Sequence, residues 1–192
     1  MSDELLLEVK TVQSGAFRVL VEALKEILTD TNLIFDESGI KMMATDSSET
    51  VLIHMKLEAD KFEYYHCPKK VVIGLNMNNL YKLIKTMGNN DILTMSIYQM
   101  EPNRISLKIN NIDKQTQTTF KLNLLDLPDE DMDIPPAKFE TELTLPSNDF
   151  QKIIRDMTNI GENIEIKSSG PQLILGYRGD FAEQETILSE TQ

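Results

Sequence analysis

One cysteine, two histidines and no tryptophan occur in 192 residues, and each scarcity removes a class of function. A lone Cys67 cannot build an intramolecular disulfide framework and suits a reducing compartment, cytosol or nucleus. His54 and His66 are too few for a zinc site, which needs about four ligands, and His66-Cys67 is adjacent rather than spaced for a metal. His54 alternates with apolar neighbours and reads as an outward-facing strand residue. The sequence has no P-loop signature, no GxGxxG after a strand, and no nucleophile with a base to activate it. Asp46-Ser47-Ser48-Glu49 reads as a turn or cap, and the acids from Asp129 to Asp133 lie in linker-like sequence, a poor scaffold for Mg²⁺. No run approaches the ~18 apolar residues of a membrane span. The start, Met1-Ser2-Asp3-Glu4, is acidic where a secretory signal is basic. The expectation is a protein without catalysis, metal, cofactor or membrane partner.

Positive charge is also scarce: 19 Lys+Arg against 31 Asp+Glu leave a net −12. Such a field repels phosphate at long range, so any nucleic-acid contact must rest on where the cations sit. The hydrophobic fraction, 41%, is ordinary, and the length supports one or two domains with a real core.

What is present is an internal repeat. Leu75 to Asn89 lies over Leu145 to Asn159 without a gap, with identities at Leu75/Leu145, Asn78/Asn148, Lys82/Lys152, Ile84/Ile154, Met87/Met157 and Asn89/Asn159. Each copy spaces apolar residues at i, i+3, i+4 and i+7, namely Leu80, Leu83, Ile84, Met87 and Phe150, Ile153, Ile154, Met157. That is one stripe of a helix. The cations Lys82, Lys85 and Lys152, Arg155 then point away from it. A pair of cations on a helix is ordinarily a solvated face; the same pair at equivalent repeat positions argues for a basic surface built twice. A third, divergent copy runs from Ser14 to Leu28 with the stripe Phe17, Leu20, Val21, Leu24. Its cations Arg18 and Lys25 flank the stripe, and Glu22 takes the central polar position.

Strand-like sequence surrounds each helix. Val51, Ile53, Met55 and Leu57 alternate with Leu52, His54 and Lys56, and Asp36-Glu37-Ser38-Gly39 is a turn. The unit is a strand, a helix and several antiparallel strands, about 60 residues long and used about three times; helices on one face of antiparallel sheet make the fold α+β. Between the second and third units, residues 126–138 hold three of the seven prolines and five acids. They read as an extended linker between a domain at 1–125 and one at 139–192. The 54 residues from Phe139 to Gln192 are marginal for an independent domain, so the last unit is part of something longer or completes itself against another chain.

Five separated motifs run in order through the chain: Asp36-Glu37-Ser38-Gly39-Ile40, Thr45-Asp46-Ser47-Ser48, Gly88-Asn89-Asn90-Asp91, Leu124-Leu125-Asp126-Leu127 leading into Ile134-Pro135, and Phe150 to Gly161. Together they resemble the eukaryotic-type DNA sliding clamps of the proliferating cell nuclear antigen family. The resemblance implies the sliding-clamp fold, a homotrimeric ring around duplex DNA, and no base-specific readout. It implies polymerase, clamp-loader and other motif-bearing replication partners, and a nuclear or viral replication site. By position it assigns Arg18, Lys25, Lys82, Lys85, Lys152 and Arg155 to the DNA-facing surface. It assigns Thr45, Asp46, Leu52, Met132, Ile134 and Pro135 to the docking site for partner peptides. Subunit contact falls on Thr118 and Phe120 in one edge strand and on Thr186 and Leu188 in another. The chain departs from the family pattern at Thr45, where an apolar residue is usual, and at Glu49 and Thr50. Family members also continue for another unit. The rival readings are a clamp-like adaptor that never encloses DNA and an unrelated acidic interaction protein.

Overall fold

The computed structural model describes residues 4–128, 138, 142–170 and 172–189. Two compact units divide the chain, Met1–Asp133 and Ile134–Gln192. The first runs β1 (Leu5–Thr11), α1 (Ser14–Lys25), β2 (Asp30–Asp36), β3 (Gly39–Thr45), β4 (Leu52–Glu58), a 3-10 turn at Ala59–Lys61, then β5 (Tyr64–His66), β6 (Val71–Asn76), α2 (Met77–Ile84), β7 (Ile92–Tyr98), β8 (Arg104–Asn111) and β9 (Thr116–Asn123). The second holds α3 (Ser147–Thr158), β10 (Glu165–Ser169), β11 (Gln172–Arg178) and β12 (Glu183–Ser189).

Alternating apolar residues give each strand one buried face, and all pairings are antiparallel. Unit 1 has a five-stranded sheet ordered β5-β1-β7-β8-β9 and a four-stranded sheet ordered β4-β3-β2-β6. The two repeats of this unit interlock. β1, which precedes α1, pairs with β7, which follows α2; β6, which precedes α2, pairs with β2, which follows α1. The registers match in kind: Val9 faces Met95 across one pair, and Leu33 faces Ile73 across the other. This exchange brings α1 and α2 side by side over a single core. Leu7, Phe35, Ile73, Leu93 and Leu107 from the sheets meet Val21, Leu24, Leu80 and Ile84 from the helices and Met87 just past α2, all buried.

The expected stripes of α1 and α2 are therefore the faces that pack, with Phe17, Leu20 and Leu83 half-buried at their margins. α2 is shorter than its repeat partner, ending at Ile84 where α3 continues through Arg155 to Thr158. The chain tightens there, with the Met87 N–H bonding the Ile84 carbonyl at 3.0 Å. Sequence reading finds neither β5 nor the 3-10 turn, because three residues are too few for alternation to register. His54 lies exposed on the outer face of β4, as its spacing predicts. At the β2–β3 turn Gly39 adopts φ 138°, and a Cβ there would lie 2.0 Å from the Leu57 carbonyl oxygen. Only glycine fits that approach.

Unit 2 has one three-stranded sheet, β10-β11-β12. Of the predicted α3 stripe, Met157 alone is buried, against Leu173 and Leu175, while Ile153 is half-buried and Phe150 is 36% exposed.

Candidate nucleic-acid interface

α2 begins with a side-chain cap: Asn76 Oδ1 accepts the Asn79 N–H at 3.0 Å, satisfying one of the helix's free donors. Its Met77 N–H reaches the Thr29 carbonyl at 2.8 Å, which ties the helix start to the end of the first repeat's α1–β2 loop. With Leu80, Ile84 and Met87 committed to the core, Asn78, Asn79, Lys82 and Lys85 are left exposed. No acid occurs between Leu75 and Asn90. Neither Lys82 nor Lys85 has a hydrogen-bond or ion-pair partner among the described residues. A cation in the last turn also suits a helix dipole, and α1, α2 and α3 each carry one there. That accounts for a single cation per helix, and not for the acid-free polar face of α2.

The α1 cations behave differently. Arg18 is half-buried, and its Nε is enclosed without a hydrogen-bond partner among the described residues. The Lys25 side chain is only 17% exposed. Its ammonium contacts Glu26 and stands 4.9 Å from the centroid of the Tyr81 ring on α2. The Tyr81 hydroxyl in turn donates to Glu22 Oε1 at 2.7 Å. These contacts hold the ammonium of Lys25 above its ordinary pKa, mainly through Glu26, and the same Glu22 bond raises that of the Tyr81 phenol. Glu22 was legible as the central polar residue of α1. Tyr81 was missed, because apolar periodicity registers neither a flank aromatic nor what lies across from it.

On α3, Lys152 and Arg155 are exposed and unpaired among the described residues, but Asp149 and Asp156 share the helix. Two cations and two acids leave Ser147–Thr158 with no net charge, whereas α2 with Lys85 carries +2 and α1 carries +1.

The residues expected at a partner-docking site fall into two sets. Thr45 closes β3, Asp46 opens the following loop and Leu52 opens β4; Met132, Ile134 and Pro135 lie outside the described residues. The Asp46 carboxylate is turned into its own loop. Oδ1 accepts the N–H groups of Thr50 and Val51 at 2.8 Å each, and Oδ2 accepts the Ser48 hydroxyl. The Ser48 bond, followed by the Val51 N–H, lowers the Asp46 pKa to about 2. Glu49 turns the loop at φ 56°. What the loop presents outward is apolar: Val51 is 42% exposed and Leu52 44%. Among the described residues, Thr118 and Phe120 lie on β9, an edge strand bonded only to β8, and Thr186 and Leu188 on β12, an edge strand bonded only to β11. Phe120 and Leu188 turn inward to their own cores and Thr118 is exposed. Among the described residues no group of His, Cys, Asp or Glu converges as a metal site, and no helix is long and apolar enough to cross a membrane.

Residues 6–133 match the family model for the N-terminal domain of proliferating cell nuclear antigen, and residues 133–192 match that for its C-terminal domain. The chain belongs to the proliferating cell nuclear antigen family. A probable DNA polymerase sliding clamp 1 of Paramecium bursaria Chlorella virus 1 is 31% identical over 193 residues, covering 98% of this chain and 74% of the relative. The proliferating cell nuclear antigen of Chaetomium thermophilum is 27% identical over 185 residues, covering 96% and 71%. The chain's function is that of a DNA sliding clamp, a replication processivity factor, and the α+β fold is the clamp fold of this family. The family's part in replication is non-catalytic.

Proposed function

We propose that this clamp encloses duplex DNA with its helical face toward the phosphates, and that it tethers polymerase, clamp loader and other motif-bearing replication proteins. The observation that carries this reading is the pair Lys82 and Lys85, exposed and unpaired among the described residues on an acid-free helix face, in a protein of net −12. Arg18 in unit 1, and Lys152 and Arg155 on α3 of unit 2, are assigned the same role; Lys25 takes it only if freed from its partners Glu26 and Tyr81. Each phosphate neutralised contributes a salt-dependence slope of about 0.9, so a few cations give a hold that is weak and quickly exchanged. Water between ammonium and phosphate softens it further. Retention then comes from topology, and the acidic exterior discourages DNA elsewhere.

The ring of the full-length protein is a homotrimer closed by strand addition, with β9 of one subunit beside β12 of the next, at Thr118, Phe120, Thr186 and Leu188; strand edges open among the described residues favour such pairing. Residues 126–138 connect the two domains, and partner-peptide binding is assigned to Thr45, Asp46, Leu52, Met132, Ile134 and Pro135. Asp46 shapes that loop, and Val51 and Leu52 offer its apolar contact. The protein has no catalytic step of its own and works in the nucleus or at a viral replication site.

The adaptor reading, in which DNA is never enclosed, is favoured by the zero net charge of α3. Loading onto nicked circular and onto linear duplex separates the two. A clamp stays on circles and runs off linear ends, and Lys82→Glu with Lys85→Glu shortens polymerase runs several-fold. Equal loss from both templates, or unchanged runs in the double variant, overturns the enclosing reading.

A further inference from the structure

We propose that Tyr81 is a positioning residue that keeps Lys25 out of the phosphate-facing set, so that unit 1 meets DNA mainly through α2. This rests on the reading of the α1–α2 face as the DNA-facing surface. Three contacts on separate side chains support it. The Tyr81 ring lies across the helix boundary beneath the Lys25 ammonium, 4.9 Å from centroid to Nζ. Its hydroxyl is fastened to Glu22 Oε1 at 2.7 Å, which fixes the ring in that pose. Glu26 takes the ammonium from the other side, leaving the Lys25 side chain 17% exposed. An ammonium held by a ring face and a carboxylate keeps its charge but is already partnered and partly desolvated. It gains less from an approaching phosphate than Lys82 on α2 does, because Lys82 has no partner to surrender among the described residues.

The arrangement has a purpose in a clamp that must slide. Lys25 stands in line with Glu22 and Arg18 on α1, and free it would add a further contact to those of Lys82 and Lys85. Each added phosphate contact steepens salt dependence and deepens the hold. Tyr81 withdraws one contact without removing the charge from the face, so long-range attraction stays while short-range grip falls.

Lysine footprinting with an acetylating reagent on the whole protein, read residue by residue by mass spectrometry, tests this. Without DNA, Lys25 is expected to react roughly fivefold more slowly than Lys82, the ratio that an exposed cation–π contact supports. Tyr81→Leu should speed Lys25 several-fold toward the Lys82 rate, the Glu26 contact remaining, whereas Tyr81→Phe, which keeps the ring, should leave it slow. If Lys25 reacts as fast as Lys82 in the parent protein, or stays slow in Tyr81→Leu, the proposal is overturned. A general loosening of the fold would speed Cys67 alkylation too, so an unchanged thiol rate marks the effect as local. In a second arm a short duplex is added. Lys82 and Lys85 should be protected in every variant, and Lys25 only in Tyr81→Leu. Failure to protect Lys82 and Lys85 counts against the DNA-facing reading, while the DNA-free rates decide the role of Tyr81 separately.

Discussion

The buried hydroxyl of Ser14, at the first turn of α1, bonds the main-chain carbonyl of Asp91, 77 residues further along the chain. It also reaches the Gly88 carbonyl at 3.0 Å. Asp91 itself is buried and fully used: Oδ2 accepts the Gly88 N–H at 2.7 Å and Oδ1 accepts from Asn111 at 2.7 Å. One side chain thus pins the start of α1 to the loop that ends α2. Ser14→Ala leaves two carbonyls without that donor, at a cost of about 1–2 kcal/mol. Urea unfolding should show a lower midpoint with an unchanged slope, and an unshifted midpoint would refute the role.

Acid should loosen the loop ahead of Leu52. The folded Asp46 carboxyl titrates at about 2 against an ordinary 3.8, so its pKa is depressed by folding. The stabilisation is fully present above the ordinary value and is lost as pH falls from about 3.8 through about 2. Amide exchange at Thr50 and Val51, whose N–H groups that carboxylate accepts, should accelerate across this window beyond the intrinsic rate change. In Asp46→Ala the two amides should already exchange fast at neutral pH; equal protection in both proteins would sink the assignment.

In unit 2 the Tyr177 ring occupies the space that side chains at two glycines would need. A Cβ at Gly161 would lie 1.8 Å from the ring, and one at Gly179 would lie 2.1 Å from its hydroxyl oxygen. Gly161→Ala should therefore lower the thermal midpoint by displacing Tyr177. In a Tyr177→Ala background the same change should cost little, since residues in contact do not add. Additive losses would show that the ring is not what excludes the methyl group.

Much of this molecule can be read from its residues. Leu80, Ile84 and Met87 announce α2 through a period of 3.6, and Val51 to Leu57 announce β4 through a period of two, because burial on one face imposes those spacings. Asp36 to Gly39 announces its turn because the φ required at Gly39 excludes other residues. Period says which face is buried and never says what covers it. Hence the pairing of β1 with β7 and of β6 with β2 was not legible, although each strand was. The same limit hides the Tyr81–Lys25 contact, which depends on how α1 lies against α2. The apolar stripe of α3 reads as strongly as that of α2, yet only Met157 is buried, since a stripe records an available face and not an occupied one. Of the proposed docking residues, Thr45, Asp46 and Leu52 lie within the described structure, while Met132, Ile134 and Pro135 fall outside the described residues.

The balance of Lys152 and Arg155 against Asp149 and Asp156 separates two helices that share an apolar register. A polyanion far from the surface is drawn by α2 and indifferent to α3, so rising ionic strength should weaken the first attraction and leave the second almost untouched. The two helices share an apolar register and differ in electrical character, which gives one a standing pull and the other a contact felt only at touching distance.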